Sequence, residues 1–173
     1  MDLLGQVSEF VPFFENKTWM LLKTSKQDPF FISDNPVTLQ NKKDFGFYGN
    51  LGLRVEGIEI YMPLSNQLSL GIFCPSHEEE ITKLHQKFSA IRQKQPEAAA
   101  LLGDRATYLA DLMRGISTGA AISIPHDTVL NLNSLQVRFS SRFVYCTCDC
   151  FDLVREMIKT DPRVKFGPQL SFL

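Results

Sequence analysis

The residues best suited to chemistry lie in the run Phe30-Phe31-Ile32-Ser33-Asp34-Asn35-Pro36-Val37. Three large apolar residues lead into Ser33, Asp34 and Asn35, whose side chains can fold back onto nearby backbone amides, and Pro36 bars Asn35 from helical geometry. The expectation is a buried strand ending in a stiff corner, with a carboxylate and an amide held where strand-end loops commonly carry sites. Asp34 then has two readings: a ligand for substrate or metal, or an acceptor for the amides of its own turn. Glu59, between Ile58 and Ile60, is a second carboxylate. On a wet face it is ordinary. On a buried face it requires a partner, for which Arg54, Arg142 or Asp34 across a metal ion would serve. Asp34 and Glu59 together could hold magnesium and assist hydrolysis of a nucleic acid, although a nuclease of that type would carry lysine where Tyr61 stands.

Cys146, Cys148 and Cys150 look like a metal cluster at first sight. On an extended strand, alternate side chains stand roughly 6.5–7 Å apart. That spacing is too wide for one zinc with sulfurs at about 2.3 Å, or for a disulfide between neighbours, so the expectation is four reduced thiols and no metal. His77, His85 and His126 lack the helical spacing of metal ligands, and His77 is expected to face water at a helix start. On a helix, Asn133 and Gln136 share a face; with Asn131 they could bond the Ser33–Pro36 loop, a ligand or water. The candidate ligand-binding residues are therefore Ser33, Asp34, Asn35, Glu59, Asn131, Asn133, Gln136 and Arg142, with no catalytic residue, cofactor or metal assigned. Gly103-Asp104-Arg105 and Gly115-Ile116-Ser117-Thr118-Gly119 lack the lysine of a phosphate loop and read as helix-end features.

The elements that must position these groups are indicated by apolar spacing. Leu3, Leu4, Val7, Phe10 and Phe14 suggest a helix stopped near Pro12. Thr18 to Thr24 reads as a strand with Trp19 and Leu21 on one face, and Phe30 to Ser33 as a second. Lys42 to Gly52 is loop-like around Phe45, Phe47 and Tyr48. Ile58 to Met62 is a strand, Pro63-Leu64-Ser65-Asn66 a corner, and Leu68 to Cys74 a further strand. Ser76 and Glu79 form a capping box before the stripe Ile81, Leu84, Phe88 and Ile91. Pro96 ends that helix or opens the next, which runs to about Arg114 with Leu102, Ala106, Leu109 and Met113 on one face and Gly115 as C-cap. His126 to Ser140 fits a helix capped by Asp127 or a hairpin about Asn133-Ser134, and the helix is favoured. Phe143 to Cys148 reads as a strand and Phe151 to Lys159 as a short helix, stopped at Asp161-Pro162. The order argues for α+β: a mostly antiparallel sheet packed by three or four helices in a single domain over 1–173. Within it, 1–15 is a helix remnant, 17–74 mainly β, 76–140 mainly α and 142–173 a strand plus a short helix.

Composition sets bounds on function. A chain of 173 residues can bury a real core, and 14 phenylalanines make that core rich in aromatic contacts. A formal net charge of -1 gives no electrostatic footprint for nucleic acid. No apolar run approaches the roughly 20 residues of a membrane span, and the first residues lack the pattern of a signal peptide. A reduced, cytoplasmic setting is expected for the cysteines.

Trp19, the run from Phe31 to Val37, Glu59 with Met62-Pro63-Leu64-Ser65, and Asn131, Asn133 and Gln136 leading into Arg142-Phe143-Val144-Tyr145 together resemble a bacterial family grouped as domain of unknown function 4238. The resemblance spans most of Trp19 to Tyr145. It implies an additional N-terminal segment with a paired-histidine, aromatic-rich motif, which this sequence does not carry, so a shortened form of a longer architecture is expected. The leading functional expectation is a binding module for a small ligand or protein partner, with its polar site at the Ser33-Asp34-Asn35-Pro36 corner. The alternatives are a metal-assisted hydrolase using Asp34 and Glu59, and a structural subunit that would expose an apolar patch to its assembly.

Overall fold

The computed structural model describes residues 3–43, 51–94, 97 and 103–166. Strands β1 (Thr18–Lys23), β3 (Thr38–Asn41), β4 (Ile58–Pro63), β5 (Leu68–Phe73) and β6 (Ile122–Ser123) form one sheet in the order β3-β4-β5-β1-β6, and β2 (Ile32–Ser33) pairs with β7 (Val144–Tyr145). The architecture is α+β. The sheet is mostly antiparallel but contains one parallel pair. Beside β6, the Ile124 amide donates to the Lys23 carbonyl of β1 at 3.1 Å. β4 and β5 form a hairpin whose corner is closed by the amides of Leu64 and Ser65, both donating to the Leu68 carbonyl at 2.8 and 3.0 Å. Ser65 Oγ accepts the Gln67 amide inside the same turn, the role small polar residues take in turns.

The chain divides into two compact units. The first comprises Met1–Leu21, Asn41–Glu59 and Ile72–Ile122, and the second Leu22–Gln40, Ile60–Gly71 and Ser123–Leu173. Among the described residues the first unit carries helices α1 (Leu3–Glu15), α2 (Pro75–Lys94) and α3 (Gly103–Thr118), and the second carries α4 (His126–Phe139), α5 (Asp152–Thr160) and a 3-10 turn at Pro162–Phe166. That is five α-helices where three or four were expected. Met20, Ile58, Ile72, Leu109 and Ile122 are the buried apolar residues of the first unit. In the second, Leu22, Phe30, Phe31, Ile60, Tyr61, Val129, Leu132, Leu135 and Val137 are buried. On β1 the buried positions are Met20 and Leu22, so the face shared by Trp19 and Leu21 is the outer one.

Several local expectations are corrected. Helix α1 continues through Pro12 to Glu15. Proline removes one donor, but the turns beyond it are closed: Asn16 Nδ2 donates to the Pro12 carbonyl at 3.1 Å, and the Lys17 amide and Trp19 indole both reach the Phe14 carbonyl. Helix α2 starts at Pro75, and Ser76 Oγ is buried without a hydrogen-bond partner, so no capping box is made. Gly115 lies inside α3 and not at its end. A Cβ there would sit 2.7 Å from Ile122 Cγ2, so glycine is required by close packing. The cap is Gly119 at φ +69°, whose amide donates to the Gly115 carbonyl at 2.9 Å. The segment 126–139 is a helix, but Asp127 does not cap it: the amides of Thr128 and Val129 bond the Pro125 carbonyl. Strand β7 ends at Tyr145, and residues 147–149 bend. The aromatic loop at Phe45, Phe47 and Tyr48, the start at Pro96, Leu102 and the tail 167–173 lie outside the described residues.

Candidate functional site

The Ser33–Pro36 corner belongs to the second unit and is carried by β2, β7 and α4. Ile32 pairs with Tyr145 and Ser33 with Val144, antiparallel, and the Asp34 amide extends the ladder by donating to the Phe143 carbonyl at 3.1 Å. Just beyond, Asp34 Oδ1 accepts the Ser141 amide and Oδ2 the Arg142 amide, each at 2.8 Å. One carboxylate thereby clamps the link between α4 and β7, using a different oxygen for each donor. Arg142 contributes its backbone amide here, and the residue is exposed.

Helix α4 supplies the other half of the frame. The stretch 29–36 bends at 34–35 and lies largely outside the sheet ladders, so its amides and carbonyls need partners. Two amide side chains provide them. Asn133 Oδ1 accepts the Phe31 amide at 2.8 Å, and its Nδ2 donates to the Pro29 carbonyl at 3.0 Å. Gln136 Oε1 accepts the Ser33 amide at 3.0 Å, and its Nε2 donates to the Pro36 carbonyl at 2.8 Å. Ser33 Oγ lies 2.9 Å from both Gln136 Oε1 and the Asn35 carbonyl, and accepts the Asn35 amide at 3.3 Å. Asn35 Nδ2 reaches the Phe139 carbonyl at 3.3 Å. Residues three apart on the helix thus read residues two apart on the chain opposite, as an edge strand would. Of the options open for Asn133 and Gln136, the one realised is bonding to the corner. Asn131 stands apart, exposed and donating to Gln40 Oε1 at 3.0 Å.

Glu59 does not join this set. It belongs to the first unit, where it is 3% exposed between the buried Ile58 and Ile60. Its partners are not the ones anticipated: Glu59 Oε1 lies 3.6 Å from His77 Nε2 and 3.9 Å from Lys42 Nζ. His77 is therefore no solvated helix-start residue, and its Nε2 also meets the Gly57 carbonyl at 3.1 Å. Arg54 is stacked over the Phe13 ring at 4.4 Å. Next to Glu59, Lys43 and Glu56 form an ion pair whose hydrogen bond raises the lysine and lowers the carboxyl from their ordinary values. Neither His77 nor Lys42 carried a signal in the sequence, because both approach Glu59 from outside β4.

The cysteine expectation is overturned. Because the chain bends at 147–149, Cys146, Cys148 and Cys150 bring their sulfurs within 4.8 Å of one another, and Cys148 is bonded to Cys150. Extended spacing does not apply there.

Among the described residues, exposed apolar side chains gather on the β2/β7 ribbon and along a groove of the first unit. On the β2/β7 ribbon, Ile32 (41% exposed) sits opposite Tyr145 (53%), and Phe143 (55%) places its ring centroid 6.2 Å from that of Tyr145. Within the first unit, Phe10, Val11, Phe14, Glu15 and Trp19 line an open groove of about 550 Å³. No helix of the described residues is long and apolar enough to cross a membrane.

Comparison with known proteins finds no match among curated proteins and none among solved structures. Residues 4–148 match the model of a family described as a protein of unknown function, DUF4238, and the chain belongs to that family.

Proposed function

We propose that the chain is a partner-binding module whose contact surface is the outer face of the β2/β7 ribbon, with Ile32, Phe143 and Tyr145 as its anchors. The observation that carries this reading is the pairing of an exposed aromatic couple with a frame that leaves it little freedom. Asp34, Asn133 and Gln136 spend their polar atoms on the backbone of the corner, so they fit a brace better than a ligand cradle. A two-residue ribbon is marginal alone; clamped from behind, it presents Phe143 and Tyr145 as rigid side chains, the type that concentrates binding energy in interfaces. The hydrolase alternative gains no support, since Asp34 holds two amides and Glu59 sits in the other unit beside His77 and Lys42.

A photo-crosslinking amino acid placed at position 145 in cells tests the proposal, with exposed Glu156 as the control position. A discrete adduct from position 145 alone, lost on Phe143→Ser, is expected. No adduct, or the same adducts from both positions, would overturn it.

The groove beside Trp19 favours a second reading, an apolar ligand or side chain seated in the first unit, since its size and aromatic lining suit one. Trp19 is the single tryptophan. A blue shift of its emission on titration with a fatty acid, lost on Phe10→Ser, is the expected result. An unmoved spectrum removes this reading.

A further inference from the structure

We propose that residues 146–150 form a redox-gated site for one zinc ion, in which Cys146, Cys148 and Cys150 supply three thiolates. The loop is built for this. β7 fixes its entry at Tyr145 and α5 fixes its exit at Asp152, while Arg155 of α5 ties the loop to the helix, with Nη2 3.2 Å from Asp149 and Nη1 2.8 Å from Asp152. Between these fixed ends the bends at 147–149 turn all three sulfurs to one point. Cys146 Sγ lies 3.7 Å from Cys148 Sγ and 3.2 Å from Cys150 Sγ. Sulfurs at about 2.3 Å from a tetrahedral zinc stand about 3.8 Å from each other. The Cys146–Cys148 spacing already meets that, and cleavage of the Cys148–Cys150 bond frees the third sulfur to move to the same distance.

The bond between Cys148 and Cys150 is the gate. Its reduction takes up two electrons and two protons and yields two thiols; a phosphine supplies the electrons, water supplies both protons and one oxygen, and the phosphine leaves as its oxide. Zinc then displaces one proton from each of three thiols, so binding weakens as pH falls. In the opposite direction, hydrogen peroxide removes two electrons from the Cys148 and Cys150 sulfurs, re-forms their bond, is reduced to two waters and releases the ion. Among the described residues the cluster offers three protein ligands, which leaves the fourth zinc position to water or to a further donor.

The test uses the full chain, stripped of metal and reduced with a phosphine. Cobalt(II) as the probe is expected to bind one equivalent with a thiolate-to-cobalt charge-transfer band, which zinc then displaces. Cys146→Ser leaves Cys148 and Cys150 in place. Like Cys148→Ser and Cys150→Ser, it should weaken zinc binding beyond the roughly 10–100-fold that losing an outer hydrogen-bond partner causes. Cys74→Ser should change nothing. Peroxide should release the ion as the disulfide forms. Absence of the band, or a band that survives Cys146→Ser, would overturn the proposal.

Discussion

Gln136 makes the sharpest energetic statement at the scale of single residues. It is almost fully buried, and its two terminal atoms serve the Ser33 amide, the Ser33 hydroxyl and the Pro36 carbonyl. Gln136→Leu keeps much of the side-chain volume but strands those groups away from water, at about 1–3 kcal/mol for each one left unpaired. The Ser33 hydroxyl keeps the Asn35 carbonyl, so two groups lose their partner and a total loss of about 2–6 kcal/mol in urea unfolding is expected, while exposed Asn131→Ala should stay within about 0.5 kcal/mol. Equal losses from the two would mean that burial of the amide contributes nothing. Asp34 gives a finer test, because each of its oxygens holds a separate amide. Asp34→Ala frees both amides at an exposed site where water can replace the carboxylate, so about 1 kcal/mol is expected. Asp34→Asn retains one acceptor and turns an NH₂ toward the other amide, so it should restore at most about half. Full recovery by asparagine would show that only one of the two bonds matters.

Elements were legible to the degree that their apolar spacing decided them, and illegible where tertiary contact overrode a local rule. The strands at 18–23, 58–63 and 68–73 and the helix at 126–139 follow from pattern. Gly115 reads locally as a C-cap because it closes a helical apolar pattern just after the basic Arg114, and only the approach of Ile122 reveals its use. The two glycines separate experimentally. Gly115→Ala would gain about 1 kcal/mol of helix propensity, but its methyl would meet Ile122 Cγ2 at 2.7 Å. Ile122 is β-branched and 1% exposed, so it has no easy rotamer to retreat to. A net loss of about 1–3 kcal/mol is therefore expected in thermal or urea melts. Gly103→Ala meets nothing within 4 Å at the start of the same helix and should be neutral or stabilising by up to about 1 kcal/mol. Stabilisation by Gly115→Ala would mean that the helix and β6 are not in close packing. The corner was legible as a corner, since Ser33, Asp34, Asn35 and Pro36 announce turn chemistry, and Asn133 and Gln136 announce a shared face. That the two features answer each other lay beyond reach, because hydrogen bonds spanning about a hundred residues leave no local trace. The cysteines failed for a related reason: C-x-C-x-C spacing excludes a cluster only if the backbone stays extended, and the chain bends immediately after Tyr145.

For the whole molecule the decisive fact is how the chain is shared out. It passes between the two units five times, at Leu21/Leu22, Gln40/Asn41, Glu59/Ile60, Gly71/Ile72 and Ile122/Ser123, and each passage falls inside a strand of the five-stranded sheet. Neither unit is a continuous stretch with a linker of its own, unlike a domain that can be cut free in sequence. To unfold one unit and keep the other, the protein would have to break β1, β3, β4, β5 and β6 in mid-strand. Partial unfolding along the unit boundary is thus costly, and a single cooperative transition is expected. Native-state hydrogen exchange under rising denaturant reads this directly. The Phe31 and Ser33 amides, held by Asn133 and Gln136, report on the second unit, and the Cys74 amide, held by the Ile58 carbonyl at 3.0 Å, reports on the first. All three should converge on one global unfolding free energy as denaturant increases. A plateau for Phe31 and Ser33 lying more than about 2 kcal/mol below that of Cys74 would show the second unit opening alone, and the argument from shared strands would then fail.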